Sequence, residues 1–377
     1  MPSTICQFAD PTFHGIIIAL YAIQADISAC CHARDRLYPA IQFYRSKRCL
    51  MKSKRLIALL ASAALLLSGC SSLSKKKELT YTDTLFDTVI SVQILDPAEE
   101  SILNGCKKLC QKYDLMFSSY NEESEISKIN SAGGAPVEVS PETAVLIKKG
   151  IYYSELSGGA FDITIGPVSK LWDFKSGEHI IPDAGAIAEA LSHVNYENIM
   201  ISDNVVTLAD PAAAIDLGAL AKGYVADRIR DYLEKQGVKH AFINLGGNIL
   251  AMGTKPDGSD YNVGIQAPFK DTGEPITSVK VADKSVVTSG TYQRYFEVDG
   301  NLYHHILDPR TGYPCENTLT SVTIITNSSL TADAFSTTCF LLGYDESMKM
   351  ISQMENVDAV FITNDNKIHY SANFQQK

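Results

Sequence analysis

The chain is 377 residues long, 45% apolar and 20% charged, with 24 Gly and 14 Pro, a globular composition that excludes fibrous and largely disordered architectures. Its formal charge is −10, and because the first 69 residues hold eight Lys or Arg against three Asp, the remainder is more acidic still. Such a surface repels phosphate backbones, so no nucleic-acid partner is expected, and a polyanionic ligand would need a metal ion or local cations to offset the field.

In chain order, residues 1–50 carry four of the nine cysteines without a sustained amphipathic period, and they read as an upstream extension with Met51 the initiator. Met51-Lys52-Ser53-Lys54-Arg55 is cationic, residues 56–67 are apolar, and Leu67-Ser68-Gly69-Cys70 follows. This is a secretory signal over 51–69 with a lipobox, and cleavage leaves Cys70 as the lipid acceptor. The apolar run is shorter than the roughly 20 residues of a spanning helix. Residues 70–80 read as a lipidated tether whose lysines favour anionic headgroups. The expectation is a membrane-anchored lipoprotein on the extracytoplasmic face, with 81–377 as the folded domain.

Within that domain, alternation predicts a strand over 88–95 and Pro97 opens a helix to about Met116. Cys106 and Cys110 share one face of that helix with Ile102, Leu109 and Tyr113, which suits buried free thiols; no Cys or Cys/His spacing suggests zinc. Ser140-Pro141 starts a helix that runs to Gly158-Gly159. Further strands are predicted over 212–216, 241–245, 261–265, 295–298, 321–325 and 359–363, with helices over 221–235, 331–342 and 345–354. Without a regular βαβ repeat this mixture predicts an α+β fold, with two interleaved lobes and no internal linker.

Three stretches carry candidate chemistry. In Asp216-Leu217-Gly218-Ala219-Leu220-Ala221-Lys222-Gly223-Tyr224 a strand ends on a carboxylate, a glycine permits a turn and a helix begins. Its free N–H groups and Lys222 suit a phosphate, although the stretch equally suits a plain strand-to-helix turn. It matches neither the P-loop nor the dinucleotide-binding glycine pattern. Asp333 and Thr337 lie one turn apart on a predicted helix, an oxygen pair that fits Mg²⁺; a dipole-facing Asp and a back-bonding Thr fit the same spacing. His304-His305-Ile306-Leu307-Asp308-Pro309-Arg310-Thr311-Gly312 places a histidine for proton handling beside Arg310, which can contact phosphate or pair with Asp308. The glycine clusters Asn244 to Asn248 and Thr288-Ser289-Gly290 allow close approach of a ligand to the backbone.

Taken in order, these motifs resemble the ApbE-type flavin transferases, the FAD:protein FMN transferases. The resemblance also rests on Ser118-Ser119-Tyr120, Ser124 to Ser127 with Asn130, Gly159 to Pro167 leading to Leu171-Trp172, and Ala332 to Thr337. It implies an ApbE-like, T-fold-like domain that binds FAD as substrate, with Mg²⁺ held by Asp333, Thr337 and the Ala219 carbonyl. Flavin contacts would come from Tyr120, from Ala160-Phe161-Asp162 and from Leu85 or Phe86. Asp216, Lys222 and the His305-Ile306-Leu307 backbone would line the nucleotide and pyrophosphate, with His305 handling a proton and Asp333 acting through the metal. Asn248 and Ser336 depart from the resemblance, standing where many members carry Asp.

The implied reaction is attack by a target-protein threonine hydroxyl on the FMN phosphorus of FAD, with release of AMP. Implied acceptors are flavoprotein subunits of Rnf or sodium-pumping NADH:quinone oxidoreductase type complexes, met at the membrane through the lipid anchor. Hydrolysis of FAD to FMN and AMP is a second reading of the same site. A flavin-binding lipoprotein without catalysis is a third, and it would not need the Asp333/Thr337 pair.

Overall fold

Period-two alternation builds the main sheet. In β1 (Leu79–Leu85) and β2 (Thr88–Ile94) it turns Ile90, Val92 and Ile94 fully inward. The computed structural model describes residues 78–174, 178–270, 273–372 and 374; the upstream extension, the signal and the lipid acceptor Cys70 lie outside them. After the hairpin come α1 (Glu100–Phe117), α2 (Glu125–Ser131), β3 (Val137–Glu138), α3 (Pro141–Leu156), α4 (Gly166–Ser169), α5 (Ala184–Leu191), β4 (Ile199–Ser202) and β5 (Val205–Leu208). The middle of the chain forms α6 (Ala221–Lys235), β6 (Ala241–Leu245), β7 (Asn248–Met252), β8 (Tyr261–Gln266), β9 (Pro275–Val281) and β10 (Lys284–Gly290). The last part forms β11 (Tyr295–Val298), β12 (Asn301–His304), β13 (Leu319–Thr326), α7 (Ser329–Leu342), α8 (Tyr344–Ser352), β14 (Val357–Thr363) and β15 (Ile368–Tyr370).

The sheet runs in the order β1-β2-β6-β7-β10-β13-β14-β15, every neighbouring pair antiparallel. Helices α1, α6 and α7 cover one face. On the other face the β8–β9 hairpin sets Tyr261, Val263, Val279 and Val281 against Val286, Ile325 and Val360. With a layer on each side, all eight residues of β13 are buried. A smaller cluster of Val168, Trp172, Ile187, Phe296 and Leu307 joins α4 and α5 to the β11–β12 hairpin. It draws on two separated stretches of chain, so the α+β expectation holds with its parts interleaved.

The helix predicted from Pro97 begins at Glu100. Ser140 caps α3 as expected, accepting the Thr143 N–H, and Cys106, Cys110, Cys315 and Cys339 are free and buried. One predicted element is absent: residues 212–216 form no strand beyond a single bridge between Ala214 and Ile165. Their backbone groups are committed elsewhere. The Asn130 amide takes both groups of Ile215 (2.7 and 2.9 Å), and the Asp216 N–H donates to the Ile163 carbonyl at 2.7 Å.

Candidate functional site

One end of the sheet collects the chemistry-bearing side chains. The β1–β2 turn, the Asn244 to Asn248 turn, the end of β10, the start of α6 and the His305 loop meet there. Gly246 lies so close to the first of these turns that a Cβ on it would come within 2.3 Å of Thr88. Phe86 and Asp87 both adopt left-handed backbone conformations, φ 54° and 55°, which suits a two-residue hairpin but strains a bulky residue such as Phe86. The turn is held from outside, with the Phe86 N–H donating to Asp114 Oδ1 (2.7 Å) and Arg294 Nη2 donating to the Asp87 carbonyl (3.0 Å).

At the start of α6 the expected glycine-permitted turn is made differently. Gly218 is not left-handed, and its N–H donates to Asp216 Oδ1 at 2.8 Å. Lys222 Nζ folds back onto the Gly218 carbonyl at 3.0 Å. The Ala221 and Tyr224 N–H groups donate to Leu217 and Leu220, but the Gly223 N–H goes to Asp333 Oδ2 at 2.8 Å. Gly223 is the third residue of α6, where an N–H has no acceptor within the helix, and Asp333 caps it from α7. A Cβ at Gly223 would stand 2.4 Å from the Ser329 carbonyl oxygen and 2.7 Å from Asp333 Cβ; only glycine lets α6 and α7 approach this closely.

Asp333 is 4% exposed on the second turn of α7. Four residues on, the Thr337 hydroxyl shares a hydrogen bond with Ser289 Oγ (3.0 Å), which also bonds Ser336 Oγ at 2.8 Å. Buried Asn248 accepts from Ser329 Oγ at 2.6 Å, and its Nδ2 has no hydrogen-bond partner among the described residues. No cluster of three or more His, Cys, Asp or Glu is found among the described residues. One carboxylate and a hydroxyl, with the main-chain carbonyl of Ala219 that the family resemblance adds, make an all-oxygen donor set, which suits Mg²⁺ completed by water and phosphate oxygens better than a softer ion. The orphaned Asn248 amide lies beside Ser329, one turn before Asp333 on α7.

The two adjacent histidines divide their roles. His304 is buried between the Cys315 carbonyl (3.1 Å) and the Ile306 N–H (3.3 Å), and burial pulls its imidazole down to about 4. It orders the loop. His305 is half-buried, its N–H donates to the Arg294 carbonyl at 3.1 Å, and its Nδ1 faces the same oxygen at 3.3 Å. Since a carbonyl only accepts, Nδ1 carries the proton and Nε2 keeps its lone pair. Loss of water, then the Arg294 charge and His304, pull this ring down to about 3, with Lys222 acting in the same direction. It is therefore neutral at neutral pH, a form that can accept a proton.

Tyr120 is 64% exposed, on a loop braced by Ser118 Oγ, which accepts the Tyr120 and Asn121 N–H groups. Partial desolvation, then the Asp216 and Asp87 charges, raise its phenol, with Arg294 opposing them. Other expected contacts turn inward. Ala160 and Phe161 are each 5% exposed, with both N–H groups donated to Ser157, and Asp162 is spent on Thr164 and the Tyr196 N–H, so this segment is committed largely to the fold. Leu85 is half-buried at the end of β1. The Ile306 and Leu307 side chains are buried, and the Ile306 N–H and carbonyl are used inside the loop by His304 and Cys315. Arg310 pairs with Asp308 through two hydrogen bonds of 2.8 and 2.6 Å, which selects the loop-locking alternative. The cation that joins Lys222 beside His305 is Arg294, missed from the sequence. Its signal was being the only Lys or Arg between Thr288-Ser289-Gly290 and His305.

Fold and site define an α+β protein with an oxygen-donor cluster where α6 meets α7, Lys222, Arg294 and a neutral imidazole close by, and an exposed Tyr120; the N–H groups expected free at the start of α6 are largely committed, those of Gly218, Ala221, Gly223 and Tyr224 all having acceptors. The ApbE family model matches residues 86–361, and the chain belongs to that family. It is 37% identical over 303 residues to the FAD:protein FMN transferase of Klebsiella pneumoniae (strain 342), covering 80% of this chain and 94% of that protein. To the FAD:protein FMN transferase of Treponema pallidum (strain Nichols) it is 35% identical over 324 residues, 81% and 90% of the two chains. The crystal structure of the ApbE protein from Thermotoga maritima superposes with TM-score 0.72 at 32% identity, covering 78% of this chain and 97% of that one. The flavin transferase ApbE from Vibrio cholerae gives 0.69 at 26%, covering 79% and 98%.

Proposed function

We propose that this chain transfers FMN from FAD to a threonine hydroxyl of a target protein, with Mg²⁺ as its metal. The observation that carries the reading is the hydrogen bond from the Gly223 N–H to Asp333, which sets a buried carboxylate against the start of α6, close to the turn that carries Ala219. Asp333, Thr337 and Ala219 would hold the ion, which supplies charge neutralisation to the pyrophosphate and the departing phosphate. Lys222 and Arg294 add positive charge in an otherwise acidic protein. Tyr120 offers an exposed ring for stacking on the flavin, and the family resemblance adds Leu85 and the Ala160-Phe161-Asp162 segment as further contacts.

The acceptor oxygen forms a bond to the FMN phosphorus while the bond from that phosphorus to the bridging oxygen breaks. AMP leaves with that oxygen and the FMN remains as a phosphoester. His305 Nε2 accepts the acceptor's hydroxyl proton. The negative pyrophosphate raises the basicity of this ring on binding, as a nearby anion favours the imidazolium. Asp216 shapes the turn through the Gly218 N–H and borders the nucleotide.

The reading extends to lipid anchoring at Cys70 on the extracytoplasmic face, supported by the lipobox. It also takes flavoprotein subunits of Rnf or sodium-pumping NADH:quinone oxidoreductase type complexes as acceptors, supported by the family resemblance and the anchor. The test supplies FAD, Mg²⁺ and a candidate acceptor, reading in-gel flavin fluorescence together with AMP release. Labelled acceptor and AMP should appear together and both stop in EDTA. AMP formed at full rate without acceptor or labelled protein makes the enzyme a pyrophosphatase, and labelling that persists in EDTA removes the metal from the mechanism.

A further inference from the structure

Resting on that transfer reaction, we propose that Arg294 is a positioning residue that ties the strained Phe86–Asp87 turn on the flavin side to the imidazole at the transfer centre. Its two ends do different things. The half-buried guanidinium donates to the Asp87 carbonyl at 3.0 Å. That bond and the Asp114 carboxylate on the Phe86 N–H, at 2.7 Å, are external anchors on a turn whose residues both sit at left-handed φ. Such a conformation persists only where the surroundings over-determine it. Leu85, at the mouth of this turn, is a proposed flavin contact, so the anchor bears on how the flavin is gripped.

The main chain of the same residue holds the imidazole. The Arg294 carbonyl accepts the His305 N–H at 3.1 Å and faces Nδ1 at 3.3 Å, which orients the ring and leaves Nε2 as the acceptor. Burial does most to keep His305 neutral, and the Arg294, His304 and Lys222 charges act in the same direction, while the Arg294 carbonyl, by accepting from the ring, favours the proton. Around Tyr120 the same guanidinium opposes Asp216, Asp87 and Asp173. One residue from the β10–β11 connection therefore fixes the turn, orients the base and adds a charge that disfavours its protonation. Arg310, the more conspicuous arginine in the sequence, is committed to Asp308.

Two substitutions in the full-length protein separate these effects. Arg294→Lys keeps the charge but loses the guanidinium reach to Asp87; FAD affinity, read by flavin fluorescence, should weaken about tenfold, as expected for one lost charge-assisted hydrogen bond. The His305 ring, followed by NMR from pH 8 down to about pH 3, where the native ring itself titrates, and assigned with His305→Gln, should titrate as in the native protein. Arg294→Gln removes the charge, and its His305 ring should begin to protonate at a pH higher by about half a unit or more. The ¹⁵N shifts should report the Nδ1–H tautomer in all three proteins, since the carbonyl remains.

The proposal is overturned if His305 titrates identically in native and Arg294→Gln proteins, or if FAD affinity in Arg294→Lys stays within twofold of native. Both readouts are independent of turnover. A native protein that flavinylates no acceptor would count against the transfer reaction, whereas these two results count only against the role of Arg294.

Discussion

Asp333→Asn removes the negative charge from α7 while keeping an oxygen that can accept the Gly223 N–H, a bond of 2.8 Å in the native protein. Folding stability should therefore stay close to native. Asp333→Ala instead strands that N–H beside a side chain only 4% exposed, at a cost of about 1–3 kcal/mol. Transfer should rank the variants differently. A ligand that neutralises developing charge is worth about 3 kcal/mol or more in such sites, and at about 1.4 kcal/mol per decade both variants should lose at least about a hundredfold in rate. Thr337→Ala, which removes a neutral oxygen, should lose less. The assay measures transfer at saturating FAD across a Mg²⁺ titration, with flavin-fluorescence affinity and thermal melting in parallel. If Asp333→Asn transfers at near-native rate in limiting Mg²⁺, the carboxylate only caps α6 and the metal assignment falls.

Gly223→Ala places a Cβ 2.4 Å from the Ser329 carbonyl oxygen; pushing α6 from α7 should cost about 1–3 kcal/mol and raise the Mg²⁺ requirement, and an unchanged melting temperature would show that the helices yield. His304 is held down to about 4, below its unfolded value of about 6.5. The native state resists the proton, so stability is present above about pH 6.5 and is lost as pH falls toward 4, by about 2 kcal/mol between pH 7 and 5 from this group. Urea midpoints at the two pH values should converge in His304→Gln, and an unaltered difference refutes the assignment. Arg310→Ala removes a pair whose arginine is 61% exposed and should cost under about 1 kcal/mol with FAD affinity unchanged; a tenfold loss of affinity would instead place this guanidinium on phosphate. Cys70→Ala should move full-length protein from the detergent phase to a soluble or uncleaved form, and continued detergent partitioning would remove lipid as the anchor.

Helix α6 is legible in the sequence to the residue, because its apolar period is continuous, Lys235 closes the last turn and Gly237 stops it, all local signals. Ser140-Pro141 and the alternating Thr88 to Ile94 are legible for the same reason. The stretch 212–216 looks like a strand, yet Asn130, about 85 residues away along the chain, takes its backbone groups. Local alternation cannot register that competition. Asp333 and Thr337 are legible as a pair through their one-turn spacing, but the spacing alone favours a dipole-facing Asp and a back-bonding Thr over a metal site. Their setting comes from contacts remote in sequence, the Gly223 N–H and Ser289 Oγ. Both arginines near His305 carry the same charge and similar neighbours in the sequence. Only the folded chain decides that Arg310 is neutralised within its own loop by Asp308, two residues away, while Arg294 reaches across more than 200 residues to the Asp87 carbonyl. Periodicity records which face of an element is buried, whereas the partner of a polar group is set by tertiary packing, where each buried donor must find an acceptor.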